Sequence, residues 1–213
     1  MLFNSTFFNN LVSLKKHLLW LVEIERLVQF SPPFANTFSV ACKLEMELIG
    51  RIDNRKIYYV QIRNNSEWRF SLPKNDWVVF IIANKEDEEL VPPTVKICMD
   101  KNVSYICSAG TLAQWTEKYF DEEISLRALD YEEQTKKEFN FDFAPNTTCH
   151  QNFSEGFWFA TTLAHNPYKE IDKVVCLDLT KRKVKKHLAE LINKINNGWL
   201  PSDEEIELTE YDI

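Results

Sequence analysis

The chain has 213 residues, of which 45% are hydrophobic and 27% charged, and its formal net charge is −7. This composition is typical of a folded globular protein and excludes wholesale disorder. Only four residues are glycine, which argues against a glycine-rich phosphate loop, and the acidic balance makes nucleic acid an unlikely partner. The charge suits a basic protein partner, although it is also ordinary for a soluble protein.

The five cysteines do not form a disulfide or metal pattern. Their number is odd, no C-x-x-C occurs, and three of them lie in strongly apolar runs. Such cysteines are typical of reduced, buried thiols, so we expect a cytoplasmic protein. No second cluster accompanies the Cys149–His150 pair at zinc spacing, and neither a metal nor a cofactor is predicted. No long apolar run is present, so no membrane span is expected.

The first 73 residues predict a helix followed by an antiparallel meander. Apolar residues recur at helical spacing until Pro32 and Pro33, which predicts a helix over 9–30. Alternating apolar and polar residues then predict three half-buried strands, at 38–49, 56–63 and 67–72. Pro73–Asp76 marks a change of pattern.

After Trp77 the chain alternates buried strands with amphipathic helices. Continuous apolar runs predict strands covered on both faces, at 77–83, 103–107 and 174–179. A weaker strand is predicted at 144–149, where Pro145 is unfavourable. Helix signals occur at Pro92, at the capping boxes Thr111–Gln114 and Asn152–Glu155, at the amphipathic stretch 125–138, and at Thr180, whose helix ends at Gly198.

This order predicts an α/β fold with an α+β character at its N-terminus. We expect a three-layer, mostly parallel, Rossmann-like sheet, preceded by the helix and the three-stranded antiparallel meander. The chain is accordingly divided into residues 1–73, an α/β domain at 74–200 and an acidic tail at 201–213. The sequence leaves open whether the first part shares the sheet of the second, and it does not indicate the oligomeric state.

A site for an anion is predicted where the strands end. In an open α/β sheet, ligands bind beyond the carboxyl ends of the strands. The turn at Ser108–Thr111 leads directly into a helix N-terminus, where free N–H groups favour negative charge. The candidate ligand-binding residues are Asn84, Ser108, Gly110 and Thr111. The alternative is a plain strand-to-helix turn in which Gly110 relieves a tight bend.

Cys107, His150 and Asp178 are the candidate catalytic residues. They lie at the ends of three predicted strands, where a thiol, a base and an orienting carboxylate would have the residue types of nucleophilic catalysis. The alternative is that Cys107 is a small core residue and His150 an exposed loop residue. A run of five cations within Lys181–Lys186 is either a solvated face or a docking surface for the acidic tail.

Residues 77–180 resemble a known family. The order of elements carried by DWVVFIIANKEDEE, VSYICSAGTLAQW and TTCHQNFSEGFWFATTLAHNPYKEIDKVVCLDL resembles that of a family of small bacterial proteins of unknown function. The resemblance implies a bacterial protein with a Rossmann-like core. It carries over no catalytic residue.

Three functions remain in competition. The first is a non-catalytic, protein-binding domain of a regulatory or immunity-like kind, favoured by the aromatic content and by the acidic segments 86–89, 121–123 and 203–212. The second is an enzyme or small-anion-binding domain that uses the strand-end crevice, which rests on fold analogy alone. The third is self-assembly through the edges of the meander.

Overall fold

The computed structural model describes residues 46–62, 67–180 and 182–201. The predicted helix at 9–30, most of the predicted strand at 38–49 and all but the first residue of the acidic tail lie outside this part of the chain. The strands are β1 (Glu47–Ile52), β2 (Arg55–Gln61), β3 (Val78–Ile82), β4 (Tyr105–Ala109), β5 (Asn146–Cys149) and β6 (Lys173–Asp178). Within the described ranges the α-helices are α1 (Val91–Asp100), α2 (Ala113–Thr135), α3 (Phe153–Thr162) and α4 (Val184–Asn196).

The strands form one mixed sheet in the order β1-β2-β6-β3-β4-β5. Among the strands of the described residues, only β1 and β2 pair in the antiparallel sense, and the four other neighbouring pairs are parallel. The predicted α/β class and the mostly parallel sheet are therefore confirmed. Because β2 pairs with β6 along its whole length, strands from both sides of Pro73 belong to the same sheet. The division into domains at residue 73 stays a prediction.

Helices cover both faces of the sheet, which confirms the three layers. On one face, α3 and α4 bury residues such as Phe157 and Leu188 against Phe80. On the other face, α1 and α2 bury Val95 and Phe120 against alternate residues of the same strands. All five residues of β3 are buried, as expected for a central strand that has no polar face.

The predicted third strand of the meander is wrong. Residues Glu67–Phe70 form a 3-10 helix, and the Oγ of Ser71 donates a hydrogen bond of 2.7 Å to the carbonyl oxygen of Trp68. Trp68 and Leu72 are buried, whereas Phe70 is 73% exposed, so the apolar residues follow helical rather than alternating spacing. A third meander strand also has no place beside β2, because β1 and β6 already occupy both of its edges.

Several element boundaries differ from those predicted. Strand β4 begins and ends two residues later than expected, at Tyr105 and Ala109, so Cys107 lies at its centre and Ser108 lies within the strand rather than after it. The two helices predicted at Thr111 and at 125–138 are one helix, α2, because Phe120, Ile124 and Ala128 continue a single buried stripe.

The predicted helix signals have mixed outcomes. Asn152 caps α3, since its Oδ1 accepts a hydrogen bond of 2.9 Å from the amide of Glu155. Gly198 follows α4 with φ +85°, the left-handed conformation typical of a helix end. Thr111 and Thr180 are not N-caps, because α2 begins at Ala113 after Leu112, and α4 begins at Val184 after Lys183.

Candidate functional site

The topological switch point of the sheet lies between β3 and β6. These strands are parallel neighbours, but the chain leaves β3 toward α1 on one face and leaves β6 toward α4 on the other. The carboxyl ends at such a point are where open α/β sheets bind ligands. Residues predicted for the site flank it, with Asn84 after β3 and Asp178 at the end of β6.

Asp178 is the centre of a buried polar cluster. Its Oδ2 accepts a hydrogen bond of 2.7 Å from the hydroxyl of Tyr59, and its Oδ1 accepts bonds from the backbone amide and the hydroxyl of Thr180, at 2.8 and 2.6 Å. Burial raises the pKa of this carboxyl to about 6, against the opposing effect of those donors. The hydrogen bond from Tyr59 connects β2 to β6. Asp178 is fully buried, so its carboxyl does not face open solvent.

The predicted anion-site residues come together, but their amides are already bound. The backbone N–H of Thr111 donates to the Oδ1 of Asn84 at 3.2 Å, and that of Leu112 donates to the carbonyl oxygen of Ala83 at 3.1 Å. Gly110 has φ +94°, and a Cβ there would lie 2.3 Å from the same carbonyl oxygen. The turn is thus closed against the end of β3. The Nδ2 of Asn84 is buried without a hydrogen-bond partner in the described part of the chain.

Ser108 faces the interior rather than the turn. It is fully buried, and its Oγ lies 2.9 Å from the carbonyl oxygen of Ala113 and 3.2 Å from that of Thr148. The hydroxyl therefore connects β4 to the start of α2 and to β5. The anion site stays a prediction, and the amide of Thr111, the Oδ1 of Asn84 and the hydroxyl of Ser108 are engaged within the protein.

Thr148 lies within hydrogen-bond distance of both Cys107 and His150. The hydroxyl of Thr148 lies 3.4 Å from the Sγ of Cys107 and 3.3 Å from the Nε2 of His150. Burial raises the pKa of the Cys107 thiol to about 12 and lowers the pKa of His150. The thiol is fully buried, so it is held in its neutral form away from solvent.

Asp178 does not join Cys107 and His150. It lies on β6, and β3 separates that strand from β4, which carries Cys107. The carboxylate beside His150 is instead that of Glu155, whose Oε1 is 3.9 Å from the Nδ1 of the imidazole. Glu155 was expected only as part of a helix-capping signal, and it lies beside His150 because β5 ends at Cys149 and α3 begins at Phe153, which places both residues at one short connection.

An open groove lies beyond the carboxyl ends of β3 and β4. Its volume is about 450 Å³, and it is lined by three carboxylates from the 3-10 helix Lys85–Leu90, one proline and two aromatic rings. We call it the acidic–aromatic groove, and its residues are Glu86, Glu88, Glu89, Pro92, Trp115 and Tyr119. The ring centroids of Trp115 and Tyr119 are 4.7 Å apart, and the ring planes are inclined by 47°.

Local structure explains how these residues meet. The 3-10 helix follows β3 directly, and its first amide, that of Lys85, donates a hydrogen bond of 2.9 Å to the Oγ1 of Thr111 at the start of α2. Trp115 and Tyr119 are four residues apart on α2, so they occupy one face of the helix. The parallel pairing of β3 with β4 thus brings the acidic segment and the aromatic pair together.

The charges around the groove are unevenly compensated. The Nη2 of Arg182, which follows β6, lies 3.5 Å from the Oε1 of Glu86. Glu88 and Glu89 are exposed, and no cationic side chain of the described residues pairs with either. The groove therefore presents two uncompensated carboxylates next to an aromatic surface.

A second exposed apolar surface contains three aromatic side chains, which we call the amino-edge cluster. Phe143 and Tyr168 precede β5 and β6, with ring centroids 5.4 Å apart, and Phe141 lies nearby in the chain. Phe141, Phe143 and Tyr168 are 59%, 63% and 60% exposed. Exposed aromatic patches of this kind are frequent in protein interfaces.

A family model for a domain of unknown function, DUF7684, matches residues 57–195. The chain belongs to this family. The match runs from within β2 to within α4 and includes both the switch point and the acidic–aromatic groove. The expectation of a family without known function is confirmed, whereas a bacterial origin stays a prediction.

Comparison with curated proteins and with solved structures gave no match. None of the helices in the described residues combines the length and the apolar character needed to cross a membrane.

Proposed function

We propose that the protein is a non-catalytic binding domain, of a regulatory or immunity-like kind, that holds a basic segment of a protein partner in the acidic–aromatic groove. The observation that carries this proposal is the juxtaposition of Glu88 and Glu89 with the rings of Trp115 and Tyr119 in one open groove. Carboxylates attract a cationic side chain, and an aromatic face adds a cation–π attraction. An exposed groove of this composition suits a lysine or arginine side chain.

The charge of the whole chain supports the same kind of partner. A net charge of −7 attracts a basic protein over distances longer than direct contact and raises its rate of association. The attraction is screened by salt, with a Debye length of about 8 Å at physiological ionic strength. Binding through the groove is therefore expected to weaken as salt is added.

The alternative, an enzyme or an anion-binding domain, receives less support from the geometry. The amides at the start of α2 are bound to Asn84 and Ala83, and the nearby glutamates repel an anion. The thiol of Cys107 is buried in its neutral form, which disfavours a nucleophile.

We keep the bacterial origin that the resemblance implies, and we propose a cytoplasmic setting. Its support is the state of Cys98, Cys107 and Cys176, which are free and buried. Free buried thiols suit a reducing compartment.

Calorimetric titration of the full chain with a basic peptide tests the proposal. The probe is an acetylated, amidated octapeptide in which glycine alternates with lysine and arginine, and serine replaces the basic residues in the control peptide. We expect binding of the basic peptide, which weakens from about 50 to about 300 mM salt. The double substitution Glu88→Gln with Glu89→Gln is expected to abolish it.

A matched variant controls for net charge. Asp130→Asn with Glu133→Gln removes the same charge from exposed positions on α2, about 16 and 21 Å along the helix axis from Tyr119. Retained binding in this variant supports the groove as the site. Equal loss in both variants, or no binding by the wild type, overturns the proposal.

A further inference from the structure

The two aromatic rings of the acidic–aromatic groove form one surface rather than two facing walls. A group held between two rings keeps about 3.5–4.0 Å from each, which requires centroids roughly 7 Å apart or more. The centroids of Trp115 and Tyr119 are 4.7 Å apart, so the rings contact each other and leave no gap for a ligand. A ligand in the groove can stack on this surface from one side only.

A flat cation matches a one-sided aromatic surface better than a rounded one does. The guanidinium of arginine is planar, stacks on aromatic rings and presents N–H donors in a fork that fits a carboxylate. The ammonium of lysine is compact and strongly hydrated, and it offers no flat face. The shape of the groove therefore distinguishes two side chains of equal charge.

One carboxylate of the acidic–aromatic groove already pairs with a guanidinium. Arg182 reaches the carboxylate of Glu86 at 3.5 Å, which places an arginine of the chain itself against the same 3-10 helix. Glu88 and Glu89 line the groove together with the two rings and have no cationic partner among the described residues. They are the carboxylates available to a second guanidinium.

We propose that the acidic–aromatic groove selects an arginine side chain of the partner, which stacks on Trp115 and Tyr119 while Glu88 and Glu89 accept its hydrogen bonds. This inference rests on the proposed function and adds the identity of the residue recognised. Lysine in the same position retains the charge attraction but loses the stacking and the forked hydrogen bonds.

The test uses three acetylated, amidated pentapeptides whose central residue, between glycines, is arginine, lysine or citrulline. Citrulline keeps the planar shape but carries no charge. Binding is followed by NMR on the full chain through the indole N–H signals of the tryptophans, with Trp115→Phe used to assign the signal of Trp115. We expect the arginine peptide to bind about fivefold more tightly than the lysine peptide, and citrulline to bind most weakly.

The outcomes separate this inference from the proposed function. Equal affinity for arginine and lysine, with weak citrulline binding, overturns the arginine selectivity and leaves a general basic site. Binding by none of the peptides, or equal binding by citrulline, overturns both. A preference for arginine with a shifted Trp115 signal supports both.

Two variants locate the source of the preference. Tyr119→Leu removes a ring but keeps an apolar side chain, and it is expected to reduce the preference for arginine over lysine toward one. Glu88→Gln with Glu89→Gln is expected to weaken both peptides, whereas Asp130→Asn with Glu133→Gln leaves both unchanged. Thermal unfolding of each variant establishes that it is folded. A full arginine preference in folded Tyr119→Leu contradicts the stacking.

Discussion

The hydroxyl of Tyr59 donates a hydrogen bond of 2.7 Å to the Oδ2 of Asp178, so that β2 and β6 are joined by side chains at the same edge where their backbones pair. The carboxyl is fully buried, and this burial raises its pKa to about 6. The carboxyl of Asp178 is therefore a titrating group inside the sheet that carries the candidate site.

Stability is therefore expected to depend on pH through Asp178. The folded protein holds the proton of this carboxyl up to about pH 6, whereas the unfolded chain releases it near pH 4. Its contribution to the free energy of unfolding thus decreases as pH rises from about 4 to about 6 and is constant above that range.

The substitution Asp178→Asn removes this titration and keeps an oxygen that accepts from Thr180. In urea unfolding, the free energy of unfolding of the variant minus that of wild type is expected to rise by roughly 2 kcal/mol from pH 4 to pH 7. A difference between the two proteins that is constant with pH contradicts the raised pKa.

Gly110 and Gly198 provide a matched pair, because both have positive φ but only Gly110 is crowded. An added Cβ at Gly110 lies 2.3 Å from the carbonyl oxygen of Ala83, whereas at Gly198 nothing lies within 4 Å. Gly198→Ala is expected to cost about 1 kcal/mol from backbone strain alone. Gly110→Ala also displaces the bond from Leu112 to Ala83, for a total of about 3 kcal/mol or more. Equal unfolding free energies for the two variants contradict the closed turn.

Arg55 holds the C-terminal end of α3. Its guanidinium donates to the carbonyl oxygens of Ala160 and Ala164, at 3.1 and 2.5 Å. Arg55→Met is expected to lower the free energy of unfolding by about 1–3 kcal/mol, because these carbonyls lose charged donors. Arg51 is exposed on the neighbouring strand, and Arg51→Met should change stability by less than about 0.5 kcal/mol. Similar losses in the two variants argue against the capping role.

Cysteine labelling distinguishes a buried Cys107 from a reactive one. Among the described cysteines, Cys149 is exposed and Cys98, Cys107 and Cys176 are buried. Iodoacetamide followed by peptide mass spectrometry is expected to modify Cys149 first in the native protein. The reaction should accelerate toward pH 11, because partial desolvation of the exposed residue's sulfur and the neighbouring Glu117 raise the pKa of Cys149 to about 11. Equally rapid labelling of Cys107 would restore it as a candidate nucleophile.

Most of the sheet could be predicted from the sequence, because strands buried on both faces consist almost entirely of apolar residues. The strands β3 and β6 are continuous apolar runs, which only a doubly covered strand requires. The strand prediction at 67–72 failed because the spacing of Trp68, Phe70 and Leu72 is compatible with a strand as well as with a helical turn. Tertiary structure excludes the strand, because β6 pairs with the edge of β2 that a third meander strand would need.

The candidate site was less predictable for a related reason. The acidic segment 86–89 was visible as a feature that suits a basic partner, but its contact with Trp115 depends on β3 and β4 being neighbours. The strand-end rule correctly placed Asn84, Gly110 and Thr111 near each other. It did not reveal that their polar groups bind one another, because hydrogen-bond partners depend on side-chain positions that sequence spacing does not specify.

Mapping of amide chemical shifts during titration with the basic octapeptide is the most direct test of the acidic–aromatic groove. The largest shifts are expected to cluster at Lys85–Pro92 and Trp115–Tyr119, and Glu88→Gln with Glu89→Gln is expected to remove them. Shifts centred on the amino-edge cluster, or a diffuse response that the substitutions leave intact, would contradict binding in the groove.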